Sequence, residues 1–475
     1  MPQPSEILRN KFPFSPTPGQ DRLMQAFDDF LENPGTDRPV LLVKGYAGTG
    51  KTTFLHTLVR VLALFNFRSL LMAPTGRAAK VMATYTGRNA YTIHKRIYRQ
   101  VADPATGALE FKRQKSYYKN TVMIVDEASM LSDQADLGER NLLADLIEFA
   151  FEKENNRLIL IGDAAQLPPV GQEESPGLDK AKLELSYKLE VKEVSLTEVT
   201  RQLEGSGILV NATRVREQIR TNKPEIALHT GGTFKDIYRM NSDRLEDGLR
   251  YAYDKYGQEN CILITRSNKA AVQYNRFIRQ AIHFYESEIE AGDYLMIVRN
   301  NYHFLPEDSP AGFLANGDFV EVLKIRNFED LYGFRFATLE LRLIDYKEQE
   351  PFEAKVILDT LYTGEASMSY EDNRKLYNAV MRDYEDTDGP AGMKQLLRKD
   401  PYLNALQVKF AYALTCHKSQ GGQWDAVFVD QGYLREDMVD KDYQRWLYTA
   451  MTRATQELFL VNFSPKFFGR EKSAQ

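Results

Sequence analysis

The sequence predicts an α/β protein built on parallel β-sheets, because three apolar runs each end in a polar turn. The runs are Val40–Val43, Val122–Val125 and Leu158–Ile161, and none shows the alternation of a half-buried strand. The first run continues through the glycine-rich segment GYAGTGKTT into a helical pattern that ends near Leu62. A chain of 475 residues is long enough for two or more domains of this kind.

The composition is that of an ordinary soluble globular protein, with 43% hydrophobic and 27% charged residues. No segment offers the roughly 20 uninterrupted apolar residues that a membrane span needs. Cys261 and Cys416 lie in apolar runs, which favours core positions over a disulfide, so we expect a reducing compartment and a cytoplasmic protein. The six histidines show no zinc-type spacing, so we expect no metal site made of protein ligands alone. The net charge of −5 argues only weakly against nucleic acid, because binding depends on where basic residues cluster.

The segment from Gly45 to Thr52 has the spacing of a phosphate-binding loop. Its glycines allow backbone N–H groups to surround a phosphate at the N-terminus of the following helix, where the helix dipole also favours an anion. Lys51 can reach the β- and γ-phosphates, and the Thr52 hydroxyl can bind Mg²⁺. Chance matches to this spacing occur, but the strand before it and the helix after it favour nucleotide binding.

The two other strand exits carry polar residues suited to the same chemistry. Asp126 would hold the Mg²⁺ shell, and Glu127 could polarise the attacking water. Strand carboxyl ends converge on the nucleotide in a parallel sheet, so Gln166 in the segment GDAAQLPPVG would lie near the γ-phosphate. Alone, an Asp-Glu pair is a solvated strand end and a glutamine is part of a turn; the neighbouring motifs favour the functional interpretation.

Further motifs carry a resemblance to one family. They are TPGQ ending at Gln20, DEAS, GDAAQLPPVG, LTEVTRQ at 196–202, HKSQGG and YTAMTRA. With these motifs in this order, the chain resembles the superfamily 1B DNA helicases of the RecD and phage Dda kind, and the Dda type most closely. The resemblance covers nearly the whole chain. One departure is Gln423, which follows Gly421 and Gly422 where many RecD-like sequences have a glutamate.

The resemblance implies two RecA-like domains with ATP and Mg²⁺ in the cleft between them and single-stranded DNA across their tops. It implies that Gln20 reads adenine and that Arg201 and Arg453 approach the γ-phosphate from the second domain. An arginine that reaches the nucleotide only when the cleft closes stabilises the transition state and couples hydrolysis to domain motion. The expected residues are Gln20, Gly45, Gly48, Gly50, Lys51, Thr52 and Thr53 for nucleotide binding; Lys51, Glu127, Gln166, Arg201 and Arg453 for catalysis; Thr52 and Asp126 for Mg²⁺; and Pro74, Thr75, His94, Pro168, Pro169, His417 and Lys418 for DNA.

Residues 95–120 predict a basic β-hairpin. Ile97–Val101 and Ala108–Lys112 alternate like strands, and the segment DPATG between them supplies a turn. Basic side chains alternate with aromatic ones, a combination suited to backbone contacts and base stacking. The family has a strand-separating pin here, for which Tyr98 and Phe111 are the candidates; a solvated hairpin is the alternative.

The second half predicts another α/β domain with an insert. Short strands from 316 onward fit an SH3-like barrel, which the family also has. The segment Tyr370–Gly389 is helical in pattern and acidic. The resemblance to the Dda type implies a tower here that braces the pin; a solvated helical excursion is the alternative. The expected domains are 1–94 with 121–200 (RecA-like domain 1A), 95–120 (pin 1B), 201–299 with 407–475 (RecA-like domain 2A) and 300–406 (SH3-like domain 2B with the helical excursion).

We therefore expect an ATP-dependent DNA helicase that moves 5′ to 3′ on single-stranded DNA and acts at junctions of single and double strands, in replication, recombination or repair. The polarity comes from the resemblance alone. A single-stranded DNA-binding protein is a candidate partner, and we expect a monomer without membrane contact. The alternatives are a motor subunit of a recombination nuclease, a DNA-stimulated ATPase that displaces proteins without unwinding, and a non-motor P-loop enzyme such as a kinase.

Overall fold

The computed structural model describes residues 2–32, 38–102, 109–134, 141–199, 205–223, 225–232, 234–301, 303–306, 309, 311, 313–346, 348–385, 390–435 and 438–468. These residues form two parallel β-sheets, a small closed barrel and a two-stranded hairpin. This architecture confirms the predicted α/β class, with two domains built on parallel sheets, of which one carries a hairpin and the other a β-rich insert.

The amino-terminal half forms a six-stranded sheet and the hairpin. Its elements are α1 Pro4–Lys11, α2 Pro18–Glu32, β1 Pro39–Gly45, α3 Lys51–Leu62, β2 Arg68–Ala73, α4 Gly76–Thr86, β3 Ala90–Thr92, α5 Ile93–Ile97, β4 Tyr98–Ala102, β5 Leu109–Arg113, β6 Thr121–Val125, α6 Leu142–Ala150, β7 Arg157–Gly162, α7 Lys180–Tyr187 and β8 Glu190–Leu196. The sheet order is β3-β2-β6-β7-β1-β8, and all neighbours are parallel.

The strands of this sheet are apolar throughout because helices cover both faces. On one face, Leu41 and Ile124 pack against Phe54 of α3 and Phe27 of α2. On the other face, the buried strand residues pack against α6, including Leu146. The sheet is therefore a rigid base from which the polar strand exits project.

The carboxyl-terminal half forms a second parallel sheet that is interrupted by the barrel. Its elements are α8 Gly207–Thr221, β9 Ile237–Met240, α9 Leu245–Tyr256, β10 Cys261–Thr265, α10 Asn268–Phe277, β11 Tyr294–Ile297, β12 Phe319–Leu331, β13 Phe334–Leu343, β14 Phe352–Ile357, α11 Asp359–Tyr362, α12 Tyr370–Asp383, α13 Pro390–Lys399, β15 Leu406–Phe410, β16 Ala413–Thr415, α14 Cys416–Ser419, β17 Trp424–Asp430, α15 Lys441–Met451 and β18 Ala454–Val461. The second sheet has the order β16-β10-β17-β18-β9, and β11 to β15 close the barrel.

The barrel shares its core with the second sheet. Its last strand, β15, is followed after two residues by β16 of the sheet, and Val320 of the barrel belongs to the same apolar cluster as Leu263 of β10. The helical excursion packs on the outside, where Leu376 and Val380 of α12 contact Phe336 of the barrel's β13. Whether the excursion also braces the hairpin stays a prediction, because the hairpin tip at 103–108 lies outside the described residues.

The predicted hairpin is present one residue further along the chain. Antiparallel β4 and β5 pair Tyr98 with Arg113 and Ala102 with Leu109. It leaves the sheet directly after α5, and the Gln114 amide donates to the Ile97 carbonyl at 2.8 Å, which closes the base of the hairpin. The hairpin is therefore anchored next to β3, the edge strand of the first sheet.

Candidate nucleotide and nucleic-acid site

The loop between β1 and α3 has the conformation of a phosphate-binding loop. Gly48 and Gly50 have φ of 77° and 84°, which other residues adopt only with strain, and α3 begins at Lys51. The Lys51 ammonium donates to the carbonyls of Gly45 and Tyr46 at 2.6 and 2.9 Å. The loop thus places backbone amides, a helix N-terminus and a cation at one point, which suits a polyphosphate.

A cavity of about 710 Å³ opens over this loop between the two domains. The second domain contributes Gly421, Gln423 and Arg453 to its wall. Gly45 does not line the cavity, although its carbonyl accepts a hydrogen bond from Lys51. Arg201 lies outside the described residues. The structure brings to this cavity Gln20, Gly48, Gly50, Lys51, Thr52, Thr53, Asp126, Glu127, Gln166 and Arg453.

Glu127, Gln166 and Arg453 form one cluster across the cleft. With the Gln166 amide oriented to satisfy both neighbours, its nitrogen donates to Glu127 Oε2 at 3.3 Å and its oxygen accepts from Arg453 Nη2 at 2.9 Å. Arg453 Nη1 lies 3.9 Å from Glu127 Oε1. Burial raises the pKa of Glu127, and the nearby Arg453 guanidinium opposes that rise. The glutamine therefore connects a carboxylate of the first domain to a cation of the second.

Asp126 and Thr52 fit a magnesium ion that is bound mainly through phosphates and water. Asp126 Oδ2 accepts from the Tyr85 hydroxyl at 2.7 Å, and both Asp126 and Thr52 line the cavity. Among the described residues there is no group of three or more His, Cys, Asp or Glu side chains that could hold a metal ion by itself. One carboxylate and one hydroxyl beside a phosphate site are the donor set that Mg²⁺ uses with nucleotides.

Tyr448 is a functional candidate that the sequence patterns do not single out. Its hydroxyl accepts from the Ala47 amide of the phosphate-binding loop at 3.0 Å and donates to Asp163 Oδ2 at 2.7 Å. The next residue, Thr449, accepts from the Leu167 amide at 2.9 Å. The signal lies in the YTAMTRA motif, whose tyrosine the resemblance leaves without a role. These bonds join α15 of the second domain to both the loop and the exit of β7.

Gln20 lies at one end of the cavity, where the resemblance places adenine. Its amide nitrogen donates to the Thr49 carbonyl at 3.0 Å, and its amide oxygen accepts from the Thr17 backbone at 3.0 Å. Phe12 and Phe14 line the same end, and 71% of Phe14 is exposed. An aromatic face next to a polar amide suits a purine ring.

The residues expected to contact DNA follow the carboxyl ends of parallel strands. Pro74 and Thr75 follow β2, and His94 lies in α5 after β3. His417 and Lys418 lie in α14, which follows β16. In the first domain, Pro168 and Pro169 follow β7. The topology therefore puts them all at the same edge of their sheets.

One hydrogen bond ties two of these segments together. The Gln420 amide, just after Lys418, donates to the Leu167 carbonyl, just before Pro168, at 2.8 Å. Burial lowers the pKa of Lys418 to about 8 and that of His94 to about 4. A phosphate beside Lys418 would favour its charged form.

Tyr98 lies inside the first domain rather than on its surface. Its ring belongs to the apolar cluster with Ile97 and Leu146, and its hydroxyl donates to Asp145 at 2.8 Å. Its role in strand separation stays a prediction, and this burial argues against it. The side chain of Phe111 lies outside the described part of the hairpin.

Comparisons with known proteins agree with the motif resemblance. A family model described as an AAA domain matches residues 19–259, and a model of the UvrD-like helicase C-terminal domain matches 410–461. An uncharacterised protein of Acanthamoeba polyphaga mimivirus is 24% identical over 90% of this chain and 96% of its own length. The ATP-dependent DNA helicase dda of Enterobacteria phage T4 is 23% identical over 88% of this chain and 93% of its own length. A solved structure of Pif1 helicases at forked double-stranded DNA has 16% identity and a TM-score of 0.49, and covers 96% of this chain and 95% of that one. The expected resemblance to superfamily 1B helicases is confirmed.

Within the described ranges, no helix is long and apolar enough to cross a membrane.

Proposed function

From the premise that the chain belongs to the AAA domain family, whose model matches residues 19–259, we propose that this protein is an ATP-dependent DNA helicase. It translocates 5′ to 3′ on single-stranded DNA and opens duplexes at junctions, acting as a monomer with single-stranded DNA-binding protein as a candidate partner. The observation that carries the proposal is the cluster of Glu127, Gln166 and Arg453, which only the two domains together complete. The polarity is supported by the resemblance alone.

The residues divide the work of hydrolysis between the domains. Lys51 and the loop amides hold the phosphates, while Asp126 and Thr52 orient the Mg²⁺ that the ATP carries. Glu127 accepts a proton from the attacking water, since a carboxylate held in a desolvated site is a stronger base than one in water. Arg453 stabilises the charge that develops on the γ-phosphate. Gln166 changes its hydrogen bonds as this charge develops. It thereby transmits the hydrolysis step to the segment with Pro168 and Pro169 beside the DNA-binding edge.

The test is the unwinding of matched duplexes that carry either a 5′ or a 3′ single-stranded tail, with ATP turnover recorded in the same samples. Lys51→Ala is the inactive variant. Lys44→Ala is the matched control, because Lys44 pairs with Glu193 at 2.9 Å and does not line the cavity. Opening of the 5′-tailed duplex alone, lost in Lys51→Ala and kept in Lys44→Ala, is the expected result. Opening of the 3′-tailed duplex would contradict the polarity, and turnover that DNA does not stimulate would contradict the motor.

A translocase that displaces proteins without unwinding is the second candidate. The burial of Tyr98 favours it, because one of the two predicted strand-separating side chains does not face a junction. DNA-stimulated turnover with neither duplex opened would support this candidate over a helicase.

A further inference from the structure

A groove of about 500 Å³ lies on the outer side of the first domain, at the root of the hairpin. We call it the lateral groove and define it by Arg68, Arg88, Tyr91, Arg96 and Tyr118. It starts at the amino ends of β2 and β6, since Arg68 and Thr121 line it. The residues expected to contact the translocated strand follow the carboxyl ends of the strands. At its Arg68 end the groove lies roughly 17 Å from the carboxyl end of β2, which is five steps along the strand at about 3.3 Å each, whereas its Tyr91 end lies beside Met72, near that carboxyl end.

The lateral groove is basic, and no acidic residue lines it among the described part of the chain. Arg68 and Arg88 are exposed, and no ion pair among the described residues includes either one. Two acids that pair with residues close to Tyr118 in sequence, Glu152 and Glu154, are already engaged. Glu152 accepts from Arg113 at 2.7 Å and from the Ser116 amide at 3.0 Å, which lowers its pKa, mainly through the Ser116 bond. The groove therefore presents cationic charge that nothing in the described structure neutralises.

The lateral groove also contains a built aromatic contact. The Arg96 guanidinium lies 4.8 Å from the Tyr91 ring centre and 5.1 Å from that of Tyr118. Its Nε is buried, and no described group accepts a hydrogen bond from it. The neighbouring Tyr117 is 83% exposed. The exposed guanidinium groups of Arg68 and Arg88 in the groove, and the exposed ring of Tyr117 next to Tyr118, are features that bind the phosphates and bases of a single strand.

The position of the lateral groove selects which strand it would bind. Arg96 is two residues before β4, and its carbonyl accepts from the side-chain amide nitrogen Nε2 of Gln114 at 2.5 Å, so the groove adjoins the base of the hairpin. We propose that the lateral groove binds the strand that is released at a fork and is not translocated. This rests on the proposed function, because it requires that strands separate near the hairpin. Holding the released strand there would oppose its reannealing behind the junction.

The experiment compares two substrates that share the 5′ tail and the duplex. One is a fork with an additional non-complementary 3′ tail, and the other has a blunt end in its place. The variant is Arg68→Ala/Arg88→Ala, since both side chains are exposed and their removal leaves no buried partner. Arg60→Ala/Arg244→Ala removes the same charge from exposed positions outside the groove. Binding is measured by fluorescence anisotropy over a range of salt concentrations, and turnover is measured with a single-stranded oligonucleotide.

Wild type and the control variant should bind the fork severalfold more tightly than the tailed duplex, with a steeper salt dependence. Two phosphate contacts to a single strand correspond to a slope difference of about 1.4, at roughly 0.7 per phosphate. The groove variant should lose this difference and keep oligonucleotide-stimulated turnover. Equal weakening on both substrates would overturn the proposal, as would wild type binding both substrates equally. A wild type that binds the fork more tightly but opens no duplex would contradict the proposed helicase and leave the groove supported.

Discussion

Glu127 has an unusual backbone conformation that sets the position of its carboxylate. Its φ of 54° is left-handed, which costs a non-glycine residue about 1 kcal/mol or more, and only Asp126 separates it from the end of β6. Its amide donates to Asp126 Oδ1 at 2.9 Å, which fixes the turn. The side chains of Asp126 and Glu127 therefore point in different directions although the two residues are adjacent in sequence. One faces Tyr85 and the loop, and the other faces Gln166 and Arg453.

The raised pKa of Glu127 predicts the acid side of the activity profile. Glu127 must be ionised to accept a proton, so turnover is lost as pH falls through its pKa, and that loss should occur above the ordinary value of 4.5. Glu127→Gln should lower the rate of hydrolysis by roughly 10²- to 10⁴-fold and leave nucleotide affinity near that of wild type. The measurements are steady-state ATP turnover against pH and binding of a fluorescent ATP analogue. Glu184→Gln on α7 is the control, because Glu184 does not line the cavity. Full turnover in Glu127→Gln would assign the base elsewhere.

Tyr448 supplies a second prediction at the residue scale. Tyr448→Phe keeps the ring but removes the bonds to the Ala47 amide and the Asp163 carboxylate. At about 1 kcal/mol for each lost bond, DNA-stimulated turnover should fall roughly 10- to 100-fold if these bonds hold the closed cleft. Tyr443→Phe on the same helix is a matched control, because no described group is bonded to the Tyr443 hydroxyl. If both variants lowered DNA-stimulated turnover equally, the loss would not depend on the bonds of Tyr448 to Ala47 and Asp163. Helix α15 would then contribute to turnover through packing alone.

Among the elements, helix α4 and the barrel form a contact that links the insert to the first domain. Lys80 of α4 donates to Asp345 at 2.6 Å, and Asp318 lies directly against Gly76. Arg77 stacks on Phe319 of the barrel and on Trp424 of the second sheet at 4.9 and 4.3 Å. Thr75, at the start of this helix, is an expected DNA contact. DNA bound at Thr75 would therefore affect the first domain, the barrel and the second sheet together.

This contact predicts a pH dependence that Asp318 should dominate. Burial raises the pKa of Asp318 to about 7 from its usual 3.8; Asp345 adds to the rise, while the Ala315 amide and Lys95 oppose it. The Tyr346 hydroxyl also faces this site, while the charges of Lys80 and Arg77 lie near Asp345. The neutral carboxyl is favoured in the folded protein, so the stability of the contact is greatest below about pH 4 and declines as pH rises to about 7.

The isosteric variant Asp318→Asn removes that titration. Relative to wild type, it should gain melting temperature progressively from pH 5 to pH 7, with no further gain above pH 7. Asp345→Asn should instead lose stability at every pH in this range, because Lys80 loses its partner. Thermal unfolding followed by circular dichroism at matched ionic strength measures both. Parallel curves for wild type and Asp318→Asn would contradict the assignment of the titrating group.

Local elements were predictable from the sequence because their signals are local. The phosphate-binding loop lies between a strand and a helix that adjoin it, and the hairpin strands were displaced by a single residue, from Ile97–Val101 to Tyr98–Ala102. The predicted domain boundaries left the barrel's first and last strands, β11 and β15, in the second RecA-like domain. No local signal separates them, because β15 leads almost directly into β16 and its barrel partner β11 is distant in sequence. The same limit hid Tyr448, whose bond to Asp163 joins residues 285 positions apart.

At the scale of the whole molecule, the nucleotide cavity exists only because the two domains meet. The second domain contributes Gly421, Gln423 and Arg453 to its wall, and the contacts around it run from α4 through the barrel to α15. Motifs predicted the residues that line the cavity, but the width of the cleft depends on the summed packing of both domains and is not encoded in any one segment. A small change in that width should therefore alter catalysis without touching a catalytic side chain.

Gly421 is the position at which this can be tested. A Cβ there would lie 2.6 Å from the Ala78 Cβ of α4 and 3.1 Å from Thr75 Oγ1, so Gly421→Ala should act as a wedge that holds the domains apart. A misplacement on the order of 1 Å lowers turnover by roughly 10²-fold when a group such as Arg453 must reach the nucleotide across the cleft. In Gly421→Ala, DNA-stimulated ATP turnover should fall strongly and nucleotide affinity should fall only slightly, when the two are measured together.

Backbone strain alone has to be separated from the wedge. Gly421 has a φ of 73°, and Gly432 has a nearly equal φ of 66°, where a Cβ would lie no closer than 3.8 Å to any described neighbouring atom. Gly432→Ala therefore carries the same conformational cost without the clash, and its turnover should remain within about twofold of wild type if strain of roughly 1 kcal/mol affects only stability. Similar losses in both variants would show that flexibility of these turns, rather than the width of the cleft, limits hydrolysis.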